Sequence, residues 1–392
     1  MKKRRILVFT GSRAEYGLLR NVIRLLSENE HVELHLLVSG THLSQKYGGT
    51  IREIQQDKFA PIHTVDMELD KNDPVGVCFS MGKALSGYAD TMHQLSPDIL
   101  LILGDRYETF CAAAAASILR IPIAHLFGGE ATEGAVDDVL RHAMTKMSHL
   151  HFTACERYRH RVIQMGEAPD RVWCVGSLGV ENVHLLPVLP EKDVRDYLNL
   201  PQDMPYIVAT YHPVTLEREK AVHEVEMLLK VLSARPDIAT VFTGSNADAG
   251  GQEINELLQK YVASHPNFRF FMSLGVERYI NTVRYSKGVL GNSSSGVGEV
   301  PSLGVPVLDI GNRQKGRERA DSVFHADLDE DKVSVALNTL LQPESQRLAR
   351  YALNPLDKPH TAQRIADTVA NFPLQGLLMK SFFEYSQEHS AS

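Results

Sequence analysis

Residues Ile99–Leu126 read ILLILGDRYETFCAAAAASILRIPIAHL. The five residues Ile99–Leu103 are apolar without alternation, the pattern of a strand buried on both faces. A turn of Gly104, Asp105 and Arg106 follows, then a helix-forming run over Tyr107–Leu119. A second apolar run, Ile121–Leu126, comes next. Strand, helix and strand in so short a span make a βαβ unit, which implies a parallel sheet. Cys111–Phe127 is also the best candidate for a membrane span, but Arg120 and Pro122 interrupt it. A spanning helix needs about 20 apolar residues, so the stretch reads as a buried helix running into a buried strand.

The same rhythm extends in both directions. Upstream lie strands at Ile6–Thr10 and Val32–Ser39, a helix near Tyr16–Ser27 and another near Met81–Leu95; downstream, Asp137–Met147 is helical. Further strands are expected at Tyr206–Thr210, Thr240–Thr243, Phe268–Met272, Val289–Gly291 and Val305–Asp309. Helices lie between them at about Glu217–Leu232, Gln252–Ser264 and Val276–Tyr285. The segment Leu185–Pro205 carries four prolines and is the best hinge candidate. The expected architecture is α/β: two Rossmann-like doubly wound domains facing a cleft. Residues 1–185 form the first and 186–372 the second, with a tail at 373–392 packing back on the first.

Composition narrows the function classes. The 392 residues hold 41 Lys plus Arg against 48 Asp plus Glu, a net charge of −7. General polyanion binding needs a basic surplus, so nucleic acid and membrane surfaces are not expected partners. The four cysteines, Cys78, Cys111, Cys155 and Cys174, form no CxxC pair. Zinc and thioredoxin-like readings fail on that spacing, a disulfide scaffold fails on number, and a reducing cytoplasm is the expectation. The apolar run Ile6–Phe9 is too short for a secretory signal.

In doubly wound sheets ligands bind beyond the carboxyl ends of the strands. After the first strand comes TGSRAEYG, Thr10–Gly17, which is not GxGxxG and so does not support a nicotinamide site. It offers a helix start with Arg13, suited either to a phosphate or to solvent. After Leu103 comes GDRYE with Asp105 and Arg106; after Leu126 comes FGGEATEGAVDD, then Arg141 and His142. Glu130, Glu133, Asp137 and Asp138 gather there beside Asp105. Converging carboxylates are what acid–base chemistry needs, because mutual repulsion splits their pKa values. The plain alternative is a hydrated acidic loop with Asp137 as a helix cap. The glycine pair 128–129 indicates close backbone approach.

The second half offers YHPVT with His212, the polar loop GSNADAGG at Gly244–Gly251 with Asn246, and GNSSSGVGEVPSLGVPVLDIG at Gly291–Gly311 followed by NRQKGR. His212 is one of 17 histidines, so position and not identity singles it out. Ser293, Ser294, Ser295 and Gly296 would start a helix and offer hydroxyls and N–H groups to a diphosphate. Glu299, one turn into that helix, would accept ribose hydroxyls, with Arg313 and Arg317 as countercharge. A capped helix alone would explain the serines.

With these motifs in order along nearly the whole chain, Ile6 to about Asn371, the sequence resembles the hydrolysing UDP-N-acetylglucosamine 2-epimerases of sialic-acid biosynthesis. The resemblance implies the two-domain GT-B fold and conversion of UDP-N-acetylglucosamine and water to N-acetylmannosamine and UDP. The family route is anti elimination to a 2-acetamidoglucal followed by hydration, with no metal or redox cofactor. It implies catalytic roles for Asp105 and Asp137, and for His212 in departure of the diphosphate. Arg13, Arg106, Asn246, Ser293, Ser294, Glu299 and Arg313 match UDP-binding positions. Where relatives read H-x-E-G-G-E, this chain reads His125-Leu126-Phe127-Gly128-Gly129-Glu130. Phenylalanine moves no proton, so either Glu130 or Asp105 takes the role or the C2 base differs, with Glu130 ranked first. Phe127, Arg141 and His142 are candidates for the sugar side. An apolar Phe127 also suits a related branch acting on UDP-2,4-diacetamido-2,4,6-trideoxy sugars of the legionaminic-acid pathway. Relatives form homodimers or homotetramers, and the apolar helix near Met81–Leu95 offers a contact face. Readings of other classes are a UDP-sugar glycosyltransferase, which need not have the carboxylate cluster, and a nucleotide-sugar binding module without turnover.

Overall fold

Unbroken apolar runs become neighbouring parallel strands. The structure, a computed structural model, describes residues 3–45, 48–69, 73–131, 136–213, 221–245 and 251–384. The first sheet comprises β1 (Arg4–Thr10), β2 (Val32–Val38), β3 (Ile62–Thr64), β4 (Ile99–Leu103), β5 (Ile123–Leu126), β6 (Leu150–Thr153) and β7 (Val172–Cys174). Its order is β3-β2-β1-β4-β5-β6-β7, with every pair parallel. The second comprises β8 (Tyr206–Thr210), β9 (Ala239–Thr243), β10 (Phe268–Phe271), β11 (Val289–Gly291), β12 (Val307–Ile310) and β13 (Val323–Ala326), in the order β10-β9-β8-β11-β12-β13. Both orders are those of a doubly wound Rossmann-like sheet.

Period-two alternation assigns each strand's side chains to two helical layers. Ile6 and Val8 of β1 pack with Leu19, Val22, Ile23 and Leu26 of the helix Arg13–Ser27. Leu7 and Phe9 pack on the other face with Ala84, Tyr88 and Met92 of Pro74–Leu95 and Ala112 and Ala116 of Tyr107–Ile118. In the second sheet Ile207 and Ala209 face Ala221–Ser233 and Gly251–Ser264, while Tyr206 and Val208 face Glu191–Leu198 and Gly275–Arg284.

Several boundaries differ from the sequence expectation for local reasons. The helix expected near Met81–Leu95 begins at Pro74, because the Asp73 carboxylate accepts the N–H groups of Val75 (3.1 Å) and Gly76 (3.0 Å), with proline in the first turn. β5 starts at Ile123 and not Ile121, because Arg120 takes a left-handed turn (φ 57°) ahead of Pro122. The strand expected at Val305–Asp309 lies at Val307–Ile310, behind Pro306. The helix expected from Glu217 is described from Ala221 onward. The proline-rich hinge stretch contains a helix of its own, Glu191–Leu198.

The chain forms two compact units: residues up to Glu181 together with those from Lys358 onward, and Asn182–Asp357. This corrects the division at 185/186 and 372/373. The helix Thr361–Asn371 belongs to the first unit because Ala362, Ile365, Ala366 and Val369 are buried in the core that contains Leu19, Val22 and Ile23. Its start is tied there too: the Glu181 carboxylate accepts the Ala362 N–H (2.9 Å), and Thr361 Oγ1 donates to Val175 O (2.8 Å). Among the described residues no helix is long and apolar enough to cross a membrane.

The segment after Pro373 continues across the first unit. Phe383 N donates to Gly166 O (2.9 Å), and Lys380 Nζ donates to the carbonyls of Lys146 (2.8 Å) and Ser148 (2.6 Å), at the end of the helix Val136–Met147. Lys380 also pairs with the buried Glu167 (2.6 Å), which Lys146 (2.6 Å) and His151 (2.9 Å) join. Burial alone would raise the Glu167 pKa, but these three partners pull it down to about 2. A carboxylate held below its ordinary 4.5 stabilises the fold above that pH, and the contribution is lost as pH falls toward 2. Glu167→Gln is expected to cost about 3 kcal/mol at pH 7. Urea unfolding of both proteins at a series of pH values should show the gap closing between about pH 4.5 and 2.

Candidate active site

The carboxyl end of β4 and the helix Val136–Met147 bring the first cluster together. Gly104 (φ 84°) turns the chain so that Asp105 and Arg106 precede the helix Tyr107–Ile118. From the facing helix comes Arg141, only 4% exposed. Its guanidinium pairs with Asp105, donates to Asp138 Oδ1 (3.0 Å) and donates to the Glu130 carbonyl (3.1 Å). Asp137 lies in the first turn of that helix, which begins at Val136, so Asp137 is not its cap. Partial desolvation and then the nearby Asp105 charge raise the Asp137 pKa. His142 approaches Asp138 (3.6 Å), and burial lowers its pKa. Arg106 is held by the wholly buried Glu108 through two hydrogen bonds (2.8 and 3.1 Å).

At the end of β1, Ser12 accepts the Glu15 N–H (3.4 Å) and the Glu15 carboxylate accepts the Gly11 N–H (2.7 Å). This is close to a reciprocal capping box. Arg13 is exposed and pairs with Glu53 (3.0 Å). Glu15 is buried, its Oε1 has no hydrogen-bond partner among the described residues, and burial pushes its pKa up to about 7. Glu108, Arg106 and Asp105 all act on it electrostatically, which places it beside the β4 turn.

Phe127 adopts a left-handed backbone (φ 65°) that side chains of its bulk rarely take. It is half-buried and packs against the core that contains Leu103 and Leu126. The glycines after it approach protein. A Cβ on Gly128 would stand 2.8 Å from Thr145 Oγ1 and 3.2 Å from His125 Nδ1, and one on Gly129 (φ 82°) would stand 2.5 Å from Tyr158 O. The close approach legible in the sequence is therefore to Thr145, His125 and Tyr158.

In the second unit Asn292 organises the strand ends. Its side chain accepts the His212 N–H (2.7 Å) and donates to the His212 carbonyl (2.8 Å), while its own carbonyl accepts from Arg313 (3.0 Å) and Gln314 (2.9 Å). His212 Nδ1 is 3.5 Å from Ser245 Oγ. Ser293 precedes a helix of only Ser294–Val297, which contains Ser295 and Gly296. Glu299 lies past its end, ahead of the short helix Val300–Leu303, because Gly298 and Pro301 break the run. This corrects the placing of Glu299 one turn into a helix. Asn246, with most of its loop, lies outside the described residues, as do Val214 and Thr215.

The structure thus gathers Asp105, Asp137, Arg106 and Arg141 into one charged cluster with Asp138 and the Glu130 backbone. It gathers His212 and Arg313 around Asn292. Sequence reasoning missed Glu15, Glu108 and Asn292. The S-x-x-E spacing of Ser12 and Glu15 was the available signal for the first.

The chain belongs to the UDP-N-acetylglucosamine 2-epimerase family of enzymes, whose sequence pattern matches residues 24–370. It is 37% identical over 331 residues to the GDP/UDP-N,N'-diacetylbacillosamine 2-epimerase (hydrolyzing) of Campylobacter jejuni, covering 84% of this chain and 86% of the relative. It is also 37% identical over 373 residues to the polysialic acid biosynthesis protein P7 of Escherichia coli, covering 95% and 94%. The S. aureus MnaA–UDP structure shares the fold, with a TM-score of 0.74 at 18% identity over 98% of this chain and 100% of that one.

The buried Glu15 sets a pH dependence. A carboxyl whose folded pKa is raised from 4.5 to about 7 binds its proton more tightly in the native state. Stability therefore falls as pH rises through that window. Glu15→Gln should unfold at a higher temperature than wild type at pH 8, with the difference vanishing near pH 4, below the ordinary carboxyl value of 4.5, as followed by thermal melts.

Proposed function

We propose that the chain is a hydrolysing UDP-sugar 2-epimerase that converts UDP-N-acetylglucosamine and water to N-acetylmannosamine and UDP, in nonulosonic (sialic) acid biosynthesis. The observation that carries this reading is the pairing of two differently treated carboxylates: Asp105, tied to a buried arginine, and Asp137, whose pKa is raised. Acid–base pairs are recognised by environments that push their members apart. A glycosyltransferase has no need of this cluster, and a binding module has no need of a raised carboxyl.

In the proposed reaction a carboxylate takes the C2 proton while the C1–O bond breaks, its electron pair leaving with UDP. The product is 2-acetamidoglucal. Water then adds its oxygen at C1, and a proton enters C2 from the opposite face. The Asp105 anion, fixed by Arg141, supports positive charge developing at C1. Asp137 exchanges protons with the sugar, and Glu130 serves at C2 where relatives carry a glutamate in place of Phe127. Ser293, Ser294, Ser295, Gly296, Glu299 and Arg313 hold UDP, joined by Arg13, Arg106 and Asn246, and His212 eases departure of the diphosphate.

A second reading, on UDP-2,4-diacetamido-2,4,6-trideoxyglucose, is favoured by the apolar Phe127 and by the name of the Campylobacter relative. One panel of UDP-sugars with product NMR separates the two: predominant turnover of the trideoxy sugar would replace the first substrate with the second. UDP release without a C2-epimerised sugar would reject both. Asp105→Asn is expected to lower kcat about a thousandfold with the fold intact; near-normal turnover would remove Asp105 from the mechanism.

A further inference from the structure

We propose that His125 is a positioning residue for Asp105, locked in one tautomer by the Gly104 carbonyl and braced by Thr145, and that it takes no proton from substrate itself. The inference rests on the reading that Asp105 is catalytic. His125 lies on β5 and is wholly buried. Its Nε2 stands 2.8 Å from the carbonyl of Gly104, the residue before Asp105. A carbonyl oxygen only accepts, so Nε2 carries the hydrogen. Nδ1 of the neutral ring is then a lone pair, 3.3 Å from Thr145 Oγ1.

Thr145 sits one turn beyond Arg141 on the helix Val136–Met147, and its one hydroxyl hydrogen is donated to the Arg141 carbonyl (3.0 Å), with His125 Nδ1 as the longer arm of a shared bond. The His125–Thr145 pair therefore connects the turn that presents Asp105 with the helix that presents Arg141. The Gly104 N–H donates to Leu126 O (3.2 Å), so the peptides on both sides of Gly104 are tied to β5. At φ 84° this glycine has wide backbone freedom, and these two bonds remove it. The missing Cβ of Gly128 leaves room for the contact, since it would fall 2.8 Å from the Thr145 hydroxyl.

The charges around the ring keep it neutral. Burial pushes the His125 pKa down to about 3, and His151, Arg141 and His142 each oppose a second proton, while the Gly104 carbonyl favours one. A group in this state is suited to geometry and not to proton relay.

Thr145→Val keeps the side-chain shape and removes the hydroxyl. It is expected to lower kcat about tenfold to a hundredfold through misplacement of Asp105, with KM for the UDP-sugar nearly unchanged. Thr145→Ser should restore kcat. His125→Gln, which still offers an N–H toward Gly104 O, should retain more activity than His125→Phe, and its kcat–pH profile should keep the same inflections as wild type. Nitrogen-15 NMR of the imidazole in the wild-type protein should show the Nε2–H tautomer unchanged from pH 5 to 9. An Nδ1–H tautomer, a histidine titrating within that range, a lost inflection in His125→Gln, or full kcat in both folded Thr145→Val and His125→Phe would overturn the proposal. An active Asp105→Asn would instead defeat the functional reading, leaving the tautomer measurement to stand on its own.

Discussion

A guanidinium taken almost wholly out of water fixes the rest of the first site. Desolvating such an ion costs several kcal/mol unless aligned acceptors replace the lost hydration. For Arg141 those acceptors are the Asp105 and Asp138 carboxylates and the Glu130 carbonyl. They come from the turn after β4, the helix Val136–Met147 and the loop after β5. None of the three can move independently while the cation stays buried. The demand is local, yet it sets the register between a sheet and the helix that covers its end. Asp137, four residues before Arg141, is carried into the field of Asp105 as a result.

Legibility from sequence followed the length and purity of each signal. Ile99–Leu103 is a run with no polar interruption, and β4 occupies it residue for residue. β3, β6, β7 and β13 were not legible: each is three or four residues long, and several carry His, Thr or Trp. Tertiary pairing, not local preference, makes them strands. The carboxylates after β4 and β5 were legible because doubly wound topology places such residues at a common edge. Glu15 was not, because Arg13 beside it drew the more obvious charge argument. Glu299 was misplaced because a serine-rich helix start says nothing of how soon Gly298 and Pro301 end the helix.

The two sites are built by different means. The first rests on buried charge, with Arg141 compensated by Asp105 and Asp138 and Glu108 by Arg106 in low dielectric. The second rests on backbone capture: Asn292 stitches the His212 peptide to its own strand end and receives Arg313 on its carbonyl. Charge networks are costly to leave partly satisfied, which makes the first site intolerant of single changes. Backbone capture fixes the main chain while leaving the chemistry of flanking side chains open.

The return of Thr361–Asn371 to the first unit has a consequence for biogenesis. The first sheet needs that helix to cover Leu19, Val22 and Ile23, but these residues leave the ribosome some 340 residues ahead of it. Asn182–Asp357 is contiguous and can close on itself as soon as it emerges. The half of the protein made first is thus the half completed last. Until Thr361–Asn371 emerges, the apolar side of the helix Arg13–Ser27 that it covers stays open to solvent.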